Sequence, residues 1–592
     1  MCGICGEFRF DGQQPELALT HRMMTKLERR GPDHGGSYSD GPVALGHRRL
    51  AIIDLSEHAN QPMVDQELGL VLVFNGTIYN FPELRSELQD KGYHFYSSGD
   101  SEVILKAYAE WGEACVERLH GMFAFAIWDM ARQKLVLARD RMGIKPLYYS
   151  FNGQRLRFAS NMQALLTTGD IDTSINPVGL HHQLTLHAVI PAPNTILNGI
   201  KKMRPAHFMT FKADGSYHEQ QYWMLNATRP AEKRSEEEWI DAIHQSLKTA
   251  VEKRKTIADV PVGVLLSGGL DSSLLVALLA EAGVGNLKTF TVGFEDQPEE
   301  KGNEFEYSDP VAERYATEHH KFFIQNSKVM DYLPDAVDAM AEPMVGQDAV
   351  AFYMLSEQVS KEVKVVQSGQ GADEVFGGYF WFSQMHEATG EDDLDRFANR
   401  YFDRDHEEYL QTVNQRFHGE DHTSKRVAQL LAMPDADEYI DKVLRMDVTH
   451  LIVDDPVKRV DNMTMAWGLE ARVPFLDHQL VELAASMPPE MKLRDGGKYV
   501  LKKIARGIVP DSVIDRPKGY FPVPALKFVR GEFLQFMEDI LLNDAARQRG
   551  LFQPAYVEKL LAKPEAYHTR LQGSKLWHLA LLEMWLQRNL IN

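Results

Sequence analysis

The chain has 592 residues, 44% hydrophobic and 25% charged, the composition of an ordinary globular protein with room for about three to five domains of ~100–200 residues. Its 64 basic and 84 acidic residues leave a net charge of −20, which argues against a general nucleic-acid binder. No apolar run approaches the ~18 residues of a membrane span. Three cysteines cannot build a disulfide framework or a four-cysteine zinc site, and no signal peptide precedes Cys2, so a reducing cytoplasm is the expected location.

The chain opens Met1-Cys2-Gly3-Ile4-Cys5-Gly6. A side chain as small as cysteine permits removal of the initiator methionine, which would leave a thiol and a free α-amine on one residue. The amine titrates near ~7.7–8.0 and the thiol near ~8.5, so the amine can serve as a local base. Cys5 and Cys115 read as packing thiols.

Up to about residue 165, short strand-like runs alternate with turns: 43–45, 70–74, 122–128 and 134–138. Helical stretches around 82–92 and 101–111 intervene, giving a layered α+β domain. Between about 210 and 236 the chain turns polar, and the linker is expected there, between a domain over 2–215 and another over 236–592. Beyond Ser235 a helix leads into a strand (261–266), a helix (272–282) and a strand (288–294), the pattern of a parallel sheet flanked by helices. After about residue 385 the pattern is mostly helical. It ends in the Trp- and Leu-rich segment 576–586, which reads as core.

Two loops carry chemistry. Ser267-Gly268-Gly269-Leu270-Asp271-Ser272-Ser273 lies between a strand and a helix, where glycines, hydroxyls and helix N-terminal amides can cradle phosphate. No lysine follows the glycines, so this is not the common GxxxxGK[ST] loop. A carboxylate at such a site makes sense with a bridging cation such as Mg²⁺. Ser368-Gly369-Gln370-Gly371-Ala372-Asp373-Glu374 follows a second strand-like run. Both loops should meet at the carboxyl end of one sheet, making Asp271 and Asp373 a candidate metal pair.

These loops and further ordered motifs carry a resemblance. Cys2-Gly3-Ile4, Arg30-Gly31-Pro32-Asp33, Arg49 to Asp54, Asn75-Gly76-Thr77, Ser98-Gly99-Asp100, Leu469-Glu470-Ala471-Arg472-Val473-Pro474 and Arg516-Pro517-Lys518-Gly519 all match in order. Over essentially its whole length the chain resembles the asparagine-synthetase-like class II glutamine amidotransferases. The resemblance implies a two-domain α+β and α/β protein: an N-terminal Ntn-hydrolase four-layer sandwich, then a PP-loop parallel-sheet domain with a mostly helical tail. It implies that Cys2 attacks glutamine, with Asn75 and the Gly76 amide as oxyanion hole. Arg49, with Ile52 and Ile53, would take the α-carboxylate and Asp100 the α-amine. For ATP it implies Leu265 and Val292 at the adenosine, Ser267, Gly268, Gly269, Asp271 and Ser272 at pyrophosphate, and Ser368 and Gly369 at the α-phosphate. Asp271 and Asp373 would bind Mg²⁺, and Lys518 would stabilise charge in the adenylation step.

Two positions depart from asparagine synthetases. Thr77 stands where they usually carry glutamate, leaving more of the amine binding to Asp100. Gln370 stands where they carry a glutamate beside the acceptor, and a neutral amide there suits an acceptor without a free α-ammonium. Within the family the chain looks most similar to the N-acetylglutaminylglutamine amidotransferases, which amidate the C-terminal carboxylate of an acetylated dipeptide to make an osmolyte. The expected partners are therefore glutamine and a carboxylate acceptor, with no nucleic acid or membrane and a possible homodimer. Alternatives are an asparagine synthetase acting on aspartate and a non-catalytic glutamine or nucleotide sensor.

Overall fold

The structure, a computed structural model, describes residues 2–296, 301–346, 348–516 and 529–590. Its first part is built on two stacked antiparallel sheets of six strands. In the first sheet Cys2–Arg9 is central, paired on one side with Val43–Arg49 and on the other with Arg155–Ala159. In the second, Leu70–Ile78 pairs with Gly121–Asp129. The apolar run 70–74 does not alternate with polar residues because both of its faces are buried. Val71 and Val73 meet Ile4, Phe8 and Leu45 between the sheets. Leu70, Leu72 and Phe74 instead pack on Leu84, Leu88, Val103 and Tyr108, from helices Phe81–Asp90 and Asp100–Trp111. On the outer face of the first sheet, Cys5 packs with Met23 and Met24 of helix Leu17–Lys26, completing four layers.

The polar stretch expected as linker from residue 210 is in part a hairpin. Strand His207–Lys212 pairs with Tyr217–Gln221, the edge of the second sheet. Four of the five residues in that edge strand are exposed, and an edge with one solvated side needs few apolar residues, so its composition mimics a linker. The sheet therefore runs past residue 215, and the irregular connection spans about 222–235.

From helix Glu236–Thr256, opened by the reciprocal Ser235–Glu238 capping box, the chain enters a five-stranded parallel sheet. Its order is Glu318–Ile324, Lys288–Phe294, Val262–Leu265, Val365–Gln367, Glu470–Arg472. Strands 262–265 and 365–367 are neighbours, so the loops that follow them emerge side by side. The terminal helix Lys575–Asn589 is buried core, and its indoles are used: Trp577 Nε1 donates to the Val345 carbonyl at 2.9 Å and Trp585 Nε1 to that of Met340 at 2.8 Å. Among the described residues no helix is long and apolar enough to cross a membrane.

The two halves are joined by buried charge. Asp461, on helix Lys458–Met465, accepts from Arg30 at 2.9 Å and from Lys145 at 3.1 Å. Lys202 lies 2.8 Å from both Glu342 and Asp454.

Candidate functional site

Cys2 sits at the start of the central strand of the first sheet, 7% exposed, with Arg49 as its opposite partner on the neighbouring strand. Its backbone N–H donates to Asn75 Oδ1 at 2.9 Å. Asn75 Nδ2 is buried and has no acceptor among the described residues, so a fixed amide donor stands unused beside the thiol. Gly76 follows because the strand beside it leaves no room for a side chain: a Cβ would lie 2.2 Å from the Met122 carbonyl oxygen. Burial pushes the Cys2 thiol up, while the amino terminus, the Leu50 backbone and Arg49 pull it back.

Arg49 is buried, so it is no surface ion-pair residue. Its guanidinium donates to the Ser56 carbonyl at 2.8 Å, to Asn60 Oδ1 at 2.7 Å and to the Asp54 carbonyl. All three acceptors are neutral, and among the described residues no carboxylate pairs with it, which leaves a positive site able to take a substrate carboxylate. The loop carrying Ile52 and Ile53 is pinned to the second half of the chain: the Asp259 N–H donates to the Ile52 carbonyl at 2.9 Å, and the Asp54 N–H to Asp259 Oδ2 at 2.7 Å.

Asp100 lies in the first turn of its helix and accepts from the Ile78 N–H at 3.0 Å. Burial pushes its carboxyl up to about 6, and Glu470 adds to the rise. Glu470 was not expected at this site. It is fully buried on the edge strand of the parallel sheet, and its Oε1 accepts from the Thr77 hydroxyl at 3.4 Å and from Arg472 Nε at 2.5 Å. Burial opposes its ionisation, but the amino terminus, Arg472 and Lys145 more than compensate and hold it at about 2. At the position where a glutamate was noted as missing, Thr77 thus meets a carboxylate supplied from the other half of the chain.

The second site is a cavity of about 440 Å³ at the carboxyl ends of the parallel strands. One end is apolar, with Leu265, Phe290, Val292, Phe352 and Leu355; the other presents Ser267, Gly269, Asp271, Ser272, Ser368, Gly369, Gln370 and Asp373. Gly268 adopts φ +75°, and a Cβ there would strike the Ser308 N and Tyr307 at 2.8 Å, so only glycine fits. Ser267 Oγ and Ser272 Oγ lie 3.2 Å apart and tie the loop to the first turn of helix Leu270–Glu281, whose N-terminus opens on the cavity.

Asp271 and Asp373 do converge, around an unexpected cation: Lys498 Nζ lies 2.6 Å from Asp271 Oδ2 and 2.8 Å from Asp373 Oδ2. Lys498 follows Gly496-Gly497 and itself adopts φ +55°. Two carboxylates with nearby hydroxyls form an all-oxygen donor set, which fits Mg²⁺. Arg516, which reaches Glu304 at 2.8 Å, adds positive charge to the same cavity. Lys518 lies outside the described residues.

Two family models cover most of the chain. Residues 242–587 match the asparagine synthase family, and residues 1–223 match the glutamine amidotransferase domain. The chain belongs to the asparagine synthase family. It is 31% identical to glutamine-hydrolyzing asparagine synthetase 3 of Bacillus subtilis, over 99% of this chain and 98% of that one. Asparagine synthetase B of Escherichia coli is 31% identical over 88% of this chain and 82% of its own. Amidase chyE of Penicillium rubens is 27% identical over 88% and 89%. As a family member the chain is a carbon–nitrogen ligase with a glutamine amidotransferase first domain and a parallel-sheet synthase domain.

What those motifs did not reveal is how this family member joins its halves. Arg30 and Glu470 lie in matched motifs, yet nothing local says that they, or Lys145, face charges hundreds of residues away. For Lys498 a local signal existed, a lysine directly after two glycines, but many surface turns look the same.

Proposed function

We propose that the enzyme hydrolyses glutamine at Cys2 and uses the ammonia, with ATP, to amidate a carboxylate. The observation that carries the first half is the unused Asn75 Nδ2 donor beside a nucleophile whose strand partner is a buried, carboxylate-free arginine. After loss of Met1, the Cys2 thiolate adds to the glutamine carboxamide, and Asn75 Nδ2 with the Gly76 N–H stabilises the oxyanion. The intermediate expels ammonia, and water cleaves the thioester to glutamate. Arg49 takes the glutamine α-carboxylate, while Asp100 and Glu470 set negative charge on the side where the α-ammonium lies.

In the second site the apolar end suits adenine, and the Ser267–Ser272 loop with Lys498 and Arg516 suits the phosphates. Asp271 and Asp373 would hold Mg²⁺, which when bound neutralises phosphate charge. The acceptor carboxylate attacks the α-phosphate and releases pyrophosphate; ammonia then displaces AMP and leaves an amide. We assign Lys518 to the charge developed there, and place the two activities before residue 222 and after residue 236.

For the acceptor we favour N-acetylglutaminylglutamine, because Gln370 lines the cavity with a neutral amide and an acetylated acceptor brings no α-ammonium. Aspartate is the second reading, favoured by the names of the two bacterial relatives. Mass spectrometry of products from glutamine, Mg-ATP and a panel of carboxylates tests both. A mass loss of about one unit on the dipeptide supports the first reading, and asparagine as the only product replaces it with the second. Pyrophosphate release from no acceptor would overturn the ligase scheme.

A further inference from the structure

Away from both sites, where helix Pro177–Thr185 of the first half meets helices His406–Thr412 and His422–Leu431 of the second, lies a histidine cluster. His181 Nε2 is 3.1 Å from His406 Nδ1 and 3.8 Å from Asp421 Oδ1, and one ligand atom from each residue lies within 4.8 Å of the others.

Hydrogen-bond accounting fixes the tautomer of His181. Thr185 Oγ1 lies 2.7 Å from the His181 carbonyl oxygen and 2.7 Å from Thr423 Oγ1. Each of these short O···O contacts needs a proton, and the carbonyl has none to give. Thr185 therefore donates to the carbonyl, and Thr423 donates to Thr185. With its proton spent, Thr423 Oγ1 can only accept from His181 Nδ1 at 3.0 Å and His182 Nδ1 at 2.9 Å. His181 thus carries its hydrogen on Nδ1. On the neutral ring Nε2 is then the lone pair. That lone pair faces a second imidazole nitrogen and a carboxylate oxygen.

From this geometry we propose that His181 Nε2, His406 Nδ1 and Asp421 bind a divalent transition-metal ion, Zn²⁺ by donor type, that staples the two halves of the chain together. A tetrahedral zinc with bonds of ~2.0–2.2 Å holds its ligand atoms about 3.3–3.6 Å apart, close to the separations found. The Nδ1–H of His181 bonded to a hydroxyl is the outer-shell arrangement that orients a ligating imidazole. Asp421 Oδ1 is likewise steadied by the Ser424 N–H at 2.9 Å. His406 and Asp421 are partly exposed, giving the ion an entry path and a place for water as fourth ligand. The competing occupant of the gap is a proton on His406 Nδ1, which would make the pair a simple hydrogen bond.

The test is a Zn²⁺ titration of metal-stripped full-length enzyme against a chromophoric chelator, with melting temperature as a second readout. Wild type should bind one equivalent that His406→Ala and Asp421→Asn each lose. His187→Ala, in a separate histidine cluster, should retain it. Zinc should raise the melting temperature of wild type and leave that of folded His406→Ala unchanged. No saturable binding in wild type, or equal binding in wild type, H406A and D421N, would overturn the site and leave the proton as occupant. Loss of the equivalent in H187A would also overturn it.

Discussion

Cys2 and Arg49 face each other across one antiparallel strand pair. The nucleophile and the cation proposed for the substrate carboxylate are therefore fixed by sheet register alone, with side chains on the same face about 4.5–5.5 Å apart at Cβ. The rest of the proposed glutamine site is arranged around that pair. Replacing Cys2 by alanine leaves this register intact. The C2A enzyme should lose glutamine-dependent synthesis and keep synthesis from added ammonium salt. Loss of both activities in a folded variant would contradict the division of labour proposed for the two sites.

Asn75→Ala removes the free Nδ2 donor. Glutaminase kcat should fall by about 10²–10³-fold while the KM for glutamine changes little, as expected for a group that acts on the transition state. Steady-state kinetics of glutamate release checks this; a KM effect alone would place Asn75 in substrate binding.

Asp100 predicts a pH dependence. Its folded pKa of about 6 lies above the ordinary carboxylate value, chiefly through burial. The side chain is therefore charged above about pH 6 and neutral below it, so the KM for glutamine should rise as pH falls through 6. Asp100→Asn should hold the KM high and flat. Because a raised carboxyl pKa costs stability once the pH exceeds the unfolded value, the same variant should melt no lower than wild type at pH 7.

His187, Asp403 and His578 predict the opposite sign. His187 Nδ1 lies 3.1 Å from Asp403 Oδ2, and His578 Nδ1 lies 3.3 Å from the same oxygen. Burial opposes the charge on His187, but Asp403 more than compensates and raises its pKa to about 9. A histidine raised in the folded state contributes its full stability below about pH 6.5, and that contribution fades as pH rises through 9. Thermal melts of wild type should decline over that window, and His187→Ala should lose the decline. Asp403→Ala, which leaves a buried imidazolium without its counterion, should cost about 3–5 kcal/mol.

The legible parts were those whose cause is local. The run 70–74 announced a strand, though not that both its faces are buried, and Ser267 to Ser273 announced a strand–turn–helix with its glycines where backbone must come close. The strand Tyr217–Gln221 was missed because one exposed edge needs polar residues, as a linker does. Glu470 escaped for another reason: 393 positions separate it from Thr77, and only the packed domains bring them together. Asp271 and Asp373 were readable as a converging pair, but the lysine between them was not, since no pattern in a sequence says which of many cations will arrive.

Asp461 carries a consequence for how such an enzyme can change. Arg30, whose Nε donates to the Cys2 carbonyl at 3.3 Å, and Lys145 both rest on this one carboxylate of the partner half. Severed after residue 222, the amidotransferase portion would expose Arg30, Lys145 and Lys202 to water without their counterions, and Arg30 would lose the anchor that holds it against the Cys2 carbonyl. The two halves are thus not interchangeable parts: a shuffled gene that keeps Cys2 and Arg30 must also supply the acid that holds Arg30 on the strand beneath the thiol.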